Sequence, residues 1–223
     1  MSVDIFEFWS HVGPTDKYHP KDRDVLSRMK KTHLFDLRCL PHCFLGPLKT
    51  APVVLLYLSP GLDDEDVRDA RSYAGRNRYV KCRLGEQPLP GPDEHRKAWE
   101  WWTSRTRCFG IEDWKQLSSK VSVLNIGAYH SKKGPNDQIL AALPSSRVSL
   151  DWAQTVLFPQ AIAGDKVVIC LRAAHFWGLD EGKNGKRYGK SLFAPRVQRG
   201  GHMLDKRLKA TVIKAVQTIL ARG

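Results

Sequence analysis

The stretch that decides the fold is Ala51-Pro52-Val53-Val54-Leu55-Leu56-Tyr57-Leu58-Ser59-Pro60-Gly61. Eight apolar, largely β-branched or aliphatic residues run without a polar break and stop at a Ser-Pro-Gly turn. A strand with one wet face would alternate, so a continuous run predicts a strand buried on both faces, as in a parallel sheet. Two more runs read the same way. Val121-Ser122-Val123-Leu124-Asn125-Ile126 ends at Gly127, and Lys166-Val167-Val168-Ile169-Cys170-Leu171 follows Gly164-Asp165. Lys190-Ser191-Leu192-Phe193-Ala194, before Pro195, is a weaker fourth.

Helical patterning lies between these runs. Asp93 to Arg105 is rich in helix formers and aromatics. Ser149 to Ala163 sets Trp152, Val156 and Leu157 on one face, with Ser149 as N-cap. Leu204, Leu208, Val212, Val216 and Ile219 recur at three- and four-residue steps with Lys and Arg between, an amphipathic terminal helix. Asp63-Asp64-Glu65-Asp66 reads as the acidic opening of a helix, where negative charge meets the positive end of the dipole. Strands alternating with helices give an α/β domain with a mainly parallel sheet. One domain over 1–223 is expected, with residues 1–50 as a helical edge. The 62–120 segment is too long for a simple crossover and must carry helices of its own.

The chain has 223 residues, with 36 Lys and Arg against 23 Asp and Glu, a net charge of +13. At 42% hydrophobic and 26% charged residues, the composition is that of a folded protein rather than a disordered one. No apolar run reaches the roughly 18 residues of a membrane helix. The acidic first residues are unlike a secretory signal, so a cytoplasmic protein with no membrane partner is expected. Residues 181–223 hold eleven Lys and Arg against Glu181 and Asp205, which is +9 of the +13. Such a segment suits a polyanion, most often nucleic acid, or a solvated basic surface. Five cysteines in such a chain predict free thiols. Cys39-x3-Cys43, flanked by His33 and His42, lacks zinc-knuckle spacing, and no metal is expected.

In an open α/β sheet, ligands bind beyond the carboxyl ends of the strands. That rule selects Ser59-Pro60-Gly61, the Asn125–Ser131 loop, Arg172–Trp177 and Pro195–His202. The Pro-Gly turn either simply reverses the chain or leaves backbone N–H groups facing a ligand, with Ser59 at the rim. Asn is depleted in strands, and a buried amide without partners costs about 1–3 kcal/mol. The Asn125 amide offers one acceptor and two donors. It either caps a loop or pairs with the Watson–Crick edge of a pyrimidine. Tyr129 and His130 follow on the same loop. In Arg196-Val197-Gln198-Arg199-Gly200-Gly201-His202, the arginines can contact phosphate and the glycines can let backbone approach a ligand.

This order of elements resembles the uracil-DNA glycosylase superfamily over roughly residues 47–223. Leu58-Ser59-Pro60-Gly61, Val123-Leu124-Asn125 and the basic loop before the last helix carry the resemblance. It implies a three-layer α/β/α sandwich around a central, mainly parallel four-stranded sheet. It also implies a base flipped from DNA into a pocket and hydrolysis of its N-glycosidic bond, with no cofactor. Residue by residue, Asn125 would read the uracil edge, assisted by Pro60, Gly61 and Tyr129. Ser59 stands where members carry the Asp or Asn that positions water. Arg196, Arg199, Gly200 and Gly201 would lie on the DNA-contacting loop. Ala194 stands where the family has His, leaving His202 or His130 as the substitute. The cysteine order does not match members that carry an iron–sulfur cluster. Tyr57, Tyr73 and Tyr79 are candidates for the base-stacking aromatic. The implied protein is a monomeric, nucleoid-associated repair glycosylase acting on uracil-containing DNA. The Ser at 59 and the absent His equally suit an inactive binder of damaged, abasic or single-stranded DNA. A small-molecule hydrolase ranks behind both, since neither a phosphate-binding Gly-rich loop nor a G-x-S-x-G elbow is present.

Overall fold

A computed structural model describes residues 3–29, 34–198 and 200–222. In chain order the elements are α1 (Ile5–Ser10), α2 (Arg23–Arg28), β1 (Phe44–Leu45), β2 (Val53–Tyr57), α3 (Asp64–Arg71), α4 (Tyr73–Arg83), α5 (Arg96–Thr106), α6 (Trp114–Ser118) and β3 (Val121–Asn125). There follow α7 (Asp137–Ala142), α8 (Pro144–Trp152), α9 (Phe158–Ala163), β4 (Val167–Cys170), β5 (Lys186–Tyr188), β6 (Leu192–Ala194), β7 (Val197–Gln198), β8 (His202–Met203) and α10 (Lys206–Leu220). Both α and β elements build the core, so the chain is α/β.

The four apolar runs are β2, β3, β4 and β6, all mutually parallel, in the order β3-β2-β4-β6. All five residues of β2 are buried, and its side chains divide by parity. Val53, Leu55 and Tyr57 pack with Val123, Ile169 and Phe193 against Leu117 of α6, Phe109, and Val212 and Val216 of α10. Val54 and Leu56 pack with Leu124, Val168 and Leu192 against Phe8 and Trp9 of α1, Trp152 of α8 and Phe158 of α9. Full burial of each such Val or Leu contributes about 1.5–3 kcal/mol, and helices on both faces are what let an unbroken apolar run persist as a strand.

The sheet is larger than the expected four strands, and it is mixed. β1 pairs antiparallel with β3, and β5 pairs antiparallel with β6. Neither edge strand is an apolar run: β1 has two residues, and β5 reads Lys186-Arg187-Tyr188. Short, charged edges discourage pairing with other chains. The N-terminal region also differs from a helical edge. α1 lies over a sheet face, and β1 forms the edge itself.

Two further corrections concern helix ends. Ser149 is not an N-cap. It lies inside α8, buried, with Oγ donating to the Ser145 carbonyl at 3.2 Å. The helix starts instead at Pro144, whose missing N–H costs nothing in the first turn. Residues 153–157 form a π-turn, in which the Phe158 N–H reaches Ala153. Pro159 has no N–H for the Thr155 carbonyl, and the widened turn just before it absorbs that break. Leu204 precedes α10, which Asp205 caps through a 2.6 Å bond from the Leu208 N–H. The 62–120 segment does carry helices of its own, α3 to α6.

Candidate functional site

β2 and β3 are neighbours, with Tyr57 opposite Asn125, so their carboxyl-end loops leave the sheet side by side. The loops are tied together by backbone bonds. Ile126 N–H donates to Tyr57, Gly127 to Leu58 at 2.8 Å and Ser131 to Pro60 at 3.3 Å. The first loop runs into α3 through a capping box. Asp63 Oδ1 accepts the N–H groups of Glu65 and Asp66, and Asp66 Oδ2 accepts that of Asp63 at 2.8 Å.

Asp66 also receives two imidazoles. His95 Nε2 lies 3.1 Å from its Oδ1, and His130 Nδ1 lies 3.4 Å from its Oδ2. His95 is the N-cap of α5, and Glu65 accepts the Lys97 N–H at 3.0 Å. The starts of α3 and α5 are thereby clasped through one buried carboxylate. Burial alone would raise Asp66, but hydrogen bonds from His130 and His95 outweigh it and hold the carboxyl well below the usual carboxylate range. Burial opposes the charged form of His95 as well. The bond to Asp66 and the nearby charges of Asp66, Asp63 and Asp69 prevail and raise its pKa.

His95 Nδ1 has a partner for each charge state. Neutral, it accepts the Ala98 N–H at 3.1 Å; protonated, it can donate to Glu65 Oε2 at 2.9 Å. A group whose folded pKa lies above its unfolded value, about 6.5, stabilises fully below that value. The contribution disappears as pH rises through the folded pKa. The stability difference between wild type and His95→Gln is therefore expected to shrink as pH is raised from 6, measured by denaturant unfolding. A difference that is constant with pH would remove His95 from this role.

Between these loops and α5 lies a cleft of about 810 Å³. Ser59, Pro60, Gly61, Asn125 and His130 all line it, as the strand-end rule anticipates. Asn125 is 4% exposed, and among the described residues its side-chain amide has no hydrogen-bond partner. It therefore does not cap a loop. Ser59 Oγ likewise has none. A Cβ on Gly61 would meet nothing within 4 Å, so open space reaches this backbone directly.

His130 is not a free catalytic base. Nδ1 donates to the Gly61 carbonyl at 2.6 Å, and Nε2 faces the Tyr79 hydroxyl at 3.5 Å. With both nitrogens engaged, it positions the Ser59–Gly61 loop. Tyr129 leaves the cleft altogether. Its hydroxyl donates to Asp22 at 2.5 Å and accepts from the His19 N–H, and its ring joins a buried cluster with Leu26 and Leu140. Period-two alternation beyond β3 turns it away from the side that His130 faces.

His202 is also elsewhere, half-buried in a smaller cavity beside the cleft. Gly200 and Gly201 form the β7–β8 turn at φ +94° and +81°. Their close approaches are to the protein itself. Cβ atoms there would stand 2.9 Å from the Arg105 guanidinium and 2.8 Å from the Tyr57 hydroxyl. Arg196 is exposed and donates to the Lys183 carbonyl at 2.9 Å. Arg199 and His33 lie outside the described residues.

Of the stacking candidates, Tyr73 is 82% exposed and does not line the cleft. Tyr57 and Tyr79 line it but are buried. Tyr57 meets Trp102 edge-on at 5.5 Å. The open aromatic at the rim is Trp101, 40% exposed, with the Arg105 guanidinium 3.8 Å over its ring. Asp63, Asp66, His95 and Trp101 are thus cleft residues that strand-end reasoning passes over. The acidic run 63–66 in so basic a chain, and a lone His before an aromatic helix, are the available signals.

Asp63, Glu65 and His95 bring one ligand atom each within 4.8 Å of one another, the His/acid grouping found among the described residues. All three already cap or clasp helix starts. The five cysteines are free thiols; burial raises Cys39 to about 12. No helix among the described residues is long and apolar enough to cross a membrane. No protein-family model matches the chain, and no curated protein matches it significantly.

Proposed function

We propose that the chain binds DNA across the carboxyl ends of its strands and hydrolyses the N-glycosidic bond of a base, uracil first among candidates, turned into the cleft. The helices on the two sheet faces would then be the outer layers of a uracil-DNA glycosylase-like three-layer fold. The observation that carries this reading is Asn125, a largely buried residue whose unpartnered amide opens onto the wall of an 810 Å³ cleft. Its N–H₂ can donate to a base carbonyl, and its oxygen can accept the neighbouring ring N–H. Lys97, Lys132, Lys133 and Arg172 around the opening suit a phosphate backbone.

In this reading, water attacks the sugar C1′, the C1′–N bond breaks, and its electron pair leaves on the base. The Asn125 donor meets the negative charge that develops there. Ser59 is too short to direct water. Asp63 is the better group, since its Oδ1 holds the α3 cap while no described residue bonds its Oδ2. It would orient the water and take its proton.

A second reading, a binder without catalysis, draws on one observation: His130, the imidazole on the Asn125 loop, has both nitrogens committed. A single-turnover assay on uracil-containing single- and double-stranded oligonucleotides separates the two. Free uracil and an abasic product are expected. Salt-dependent binding with no base release would overturn the glycosylase reading and support the binder.

A further inference from the structure

Beside the cleft lies a second cavity of about 240 Å³, floored by Ile169 and Leu171 at the end of β4. Arg105, Arg107, His202 and Lys209 come to it from α5, the turn that follows, the β7–β8 hairpin and α10. Among the described residues, no carboxylate lies within ion-pair distance of these three cations. Elsewhere the basic side chains Arg38, Arg68, Arg78 and Arg96 each have an acid.

Arg105 is held in place. Its Nε donates to the Gly200 carbonyl at 2.5 Å, and its guanidinium stacks on Trp101. The side chains of Arg107 and Lys209 make no hydrogen bond to any described residue. The imidazole of His202 registers the excess charge: burial, then Arg105 and Lys209, push its pKa down. Three cations lining one cavity without an anion repel one another, and a bound oxyanion would relieve that repulsion.

The cavity is smaller than the roughly 300–1,000 Å³ of drug-sized ligand pockets, but a tetrahedral oxyanion needs only such a recess with donors from several sides. It also adjoins the cleft. Arg105 rests on Trp101 at the cleft rim, and Gly201 packs on the hydroxyl of Tyr57, a cleft wall.

We propose that this cavity binds one backbone phosphate of the DNA strand whose base enters the Asn125 cleft. The proposal rests on the reading of that cleft as a base site. It makes Arg105, Arg107 and Lys209 the groups that set the strand's position, with His202 as a phosphate neighbour rather than a catalyst.

Two measurements test it. The first follows the His202 imidazole by NMR while inorganic phosphate is added. Its pKa is expected to rise, since an anion among Arg105, Arg107 and Lys209 stabilises the imidazolium. The shift should vanish in Arg107→Gln/Lys209→Gln, a pair that is exposed or half-exposed and outside both core faces. The second measures oligonucleotide affinity against salt. The double variant should lower the slope of log K by about one. An oligonucleotide with an uncharged methylphosphonate at the linkage seated in the cavity should erase the difference between wild type and variant, and this arm does not depend on the variant's folding.

An unchanged slope with normal DNA binding overturns the proposal and leaves the cleft reading standing. A His202 response to phosphate in a protein that binds no oligonucleotide overturns the cleft reading and reassigns the cavity to free phosphate.

Discussion

Asn125→Ala is expected to lower single-turnover base release by about 10²–10³-fold, the usual cost of one donor aimed at developing charge. The expectation follows from what the amide does not do. Its side chain has no hydrogen-bond partner among the described residues, and its amide is not sealed from solvent, so in the free protein it faces the cleft and holds no other group in place. Alanine therefore breaks no hydrogen bond of the folded protein. The variant should stay close to wild type in stability, while slower. A structural amide would behave in the opposite way, with stability and rate falling together. Asn125→Asp sharpens the test, because it replaces the donors with oxygens that repel the departing base. Wild-type rates in both variants would exclude Asn125 from the reaction.

Asp66→Ala should be the most destabilising change near the cleft, by about 3–5 kcal/mol at neutral pH, as for removing one partner from a buried ionic network. It strands His95 Nε2 and the Asp63 N–H together and takes away the carboxylate beside His130. Asp66→Asn keeps an acceptor and should lose less. The pH dependence has a fixed sign. Asp66 has a depressed folded pKa, so its contribution is present above the unfolded value of about 3.9. It is lost as pH falls from there toward the folded value. The acid limb of the stability curve below pH 4 should be shallower in Asp66→Ala than in wild type. A loss under about 1 kcal/mol at pH 7 in urea unfolding would show that the α3–α5 clasp does not depend on this carboxylate.

These predictions fall on residues that differ in how legible they are. Asn125 stands out because it ends an apolar strand, where an amide is out of place. Asp66 is hidden: Asp63-Asp64-Glu65-Asp66 reads as a helix opening, and it is one. Its second role depends on His95 and His130, 29 and 64 positions along the chain. Tyr129 and His202 fail as site residues for a related reason. Their places in the sequence are beside the site, but the loop's alternation turns one to the core, and the Gly200–Gly201 turn carries the other into the neighbouring cavity.

The sequence by itself determined the four parallel strands and the amphipathic α10, because two-sided burial and one-sided burial leave unbroken runs and three-to-four spacing within a dozen residues. It also placed Ser59 and Asn125 at the carboxyl ends of strands, and the sheet order made those ends neighbours. The tertiary structure alone decided the antiparallel edges, the α5 wall with Trp101, the Asp66 clasp and the unpaired cations around His202. Each of these is a meeting of side chains or backbone from distant segments. Such meetings are fixed by how the helices pack on the sheet, and no local periodicity records them.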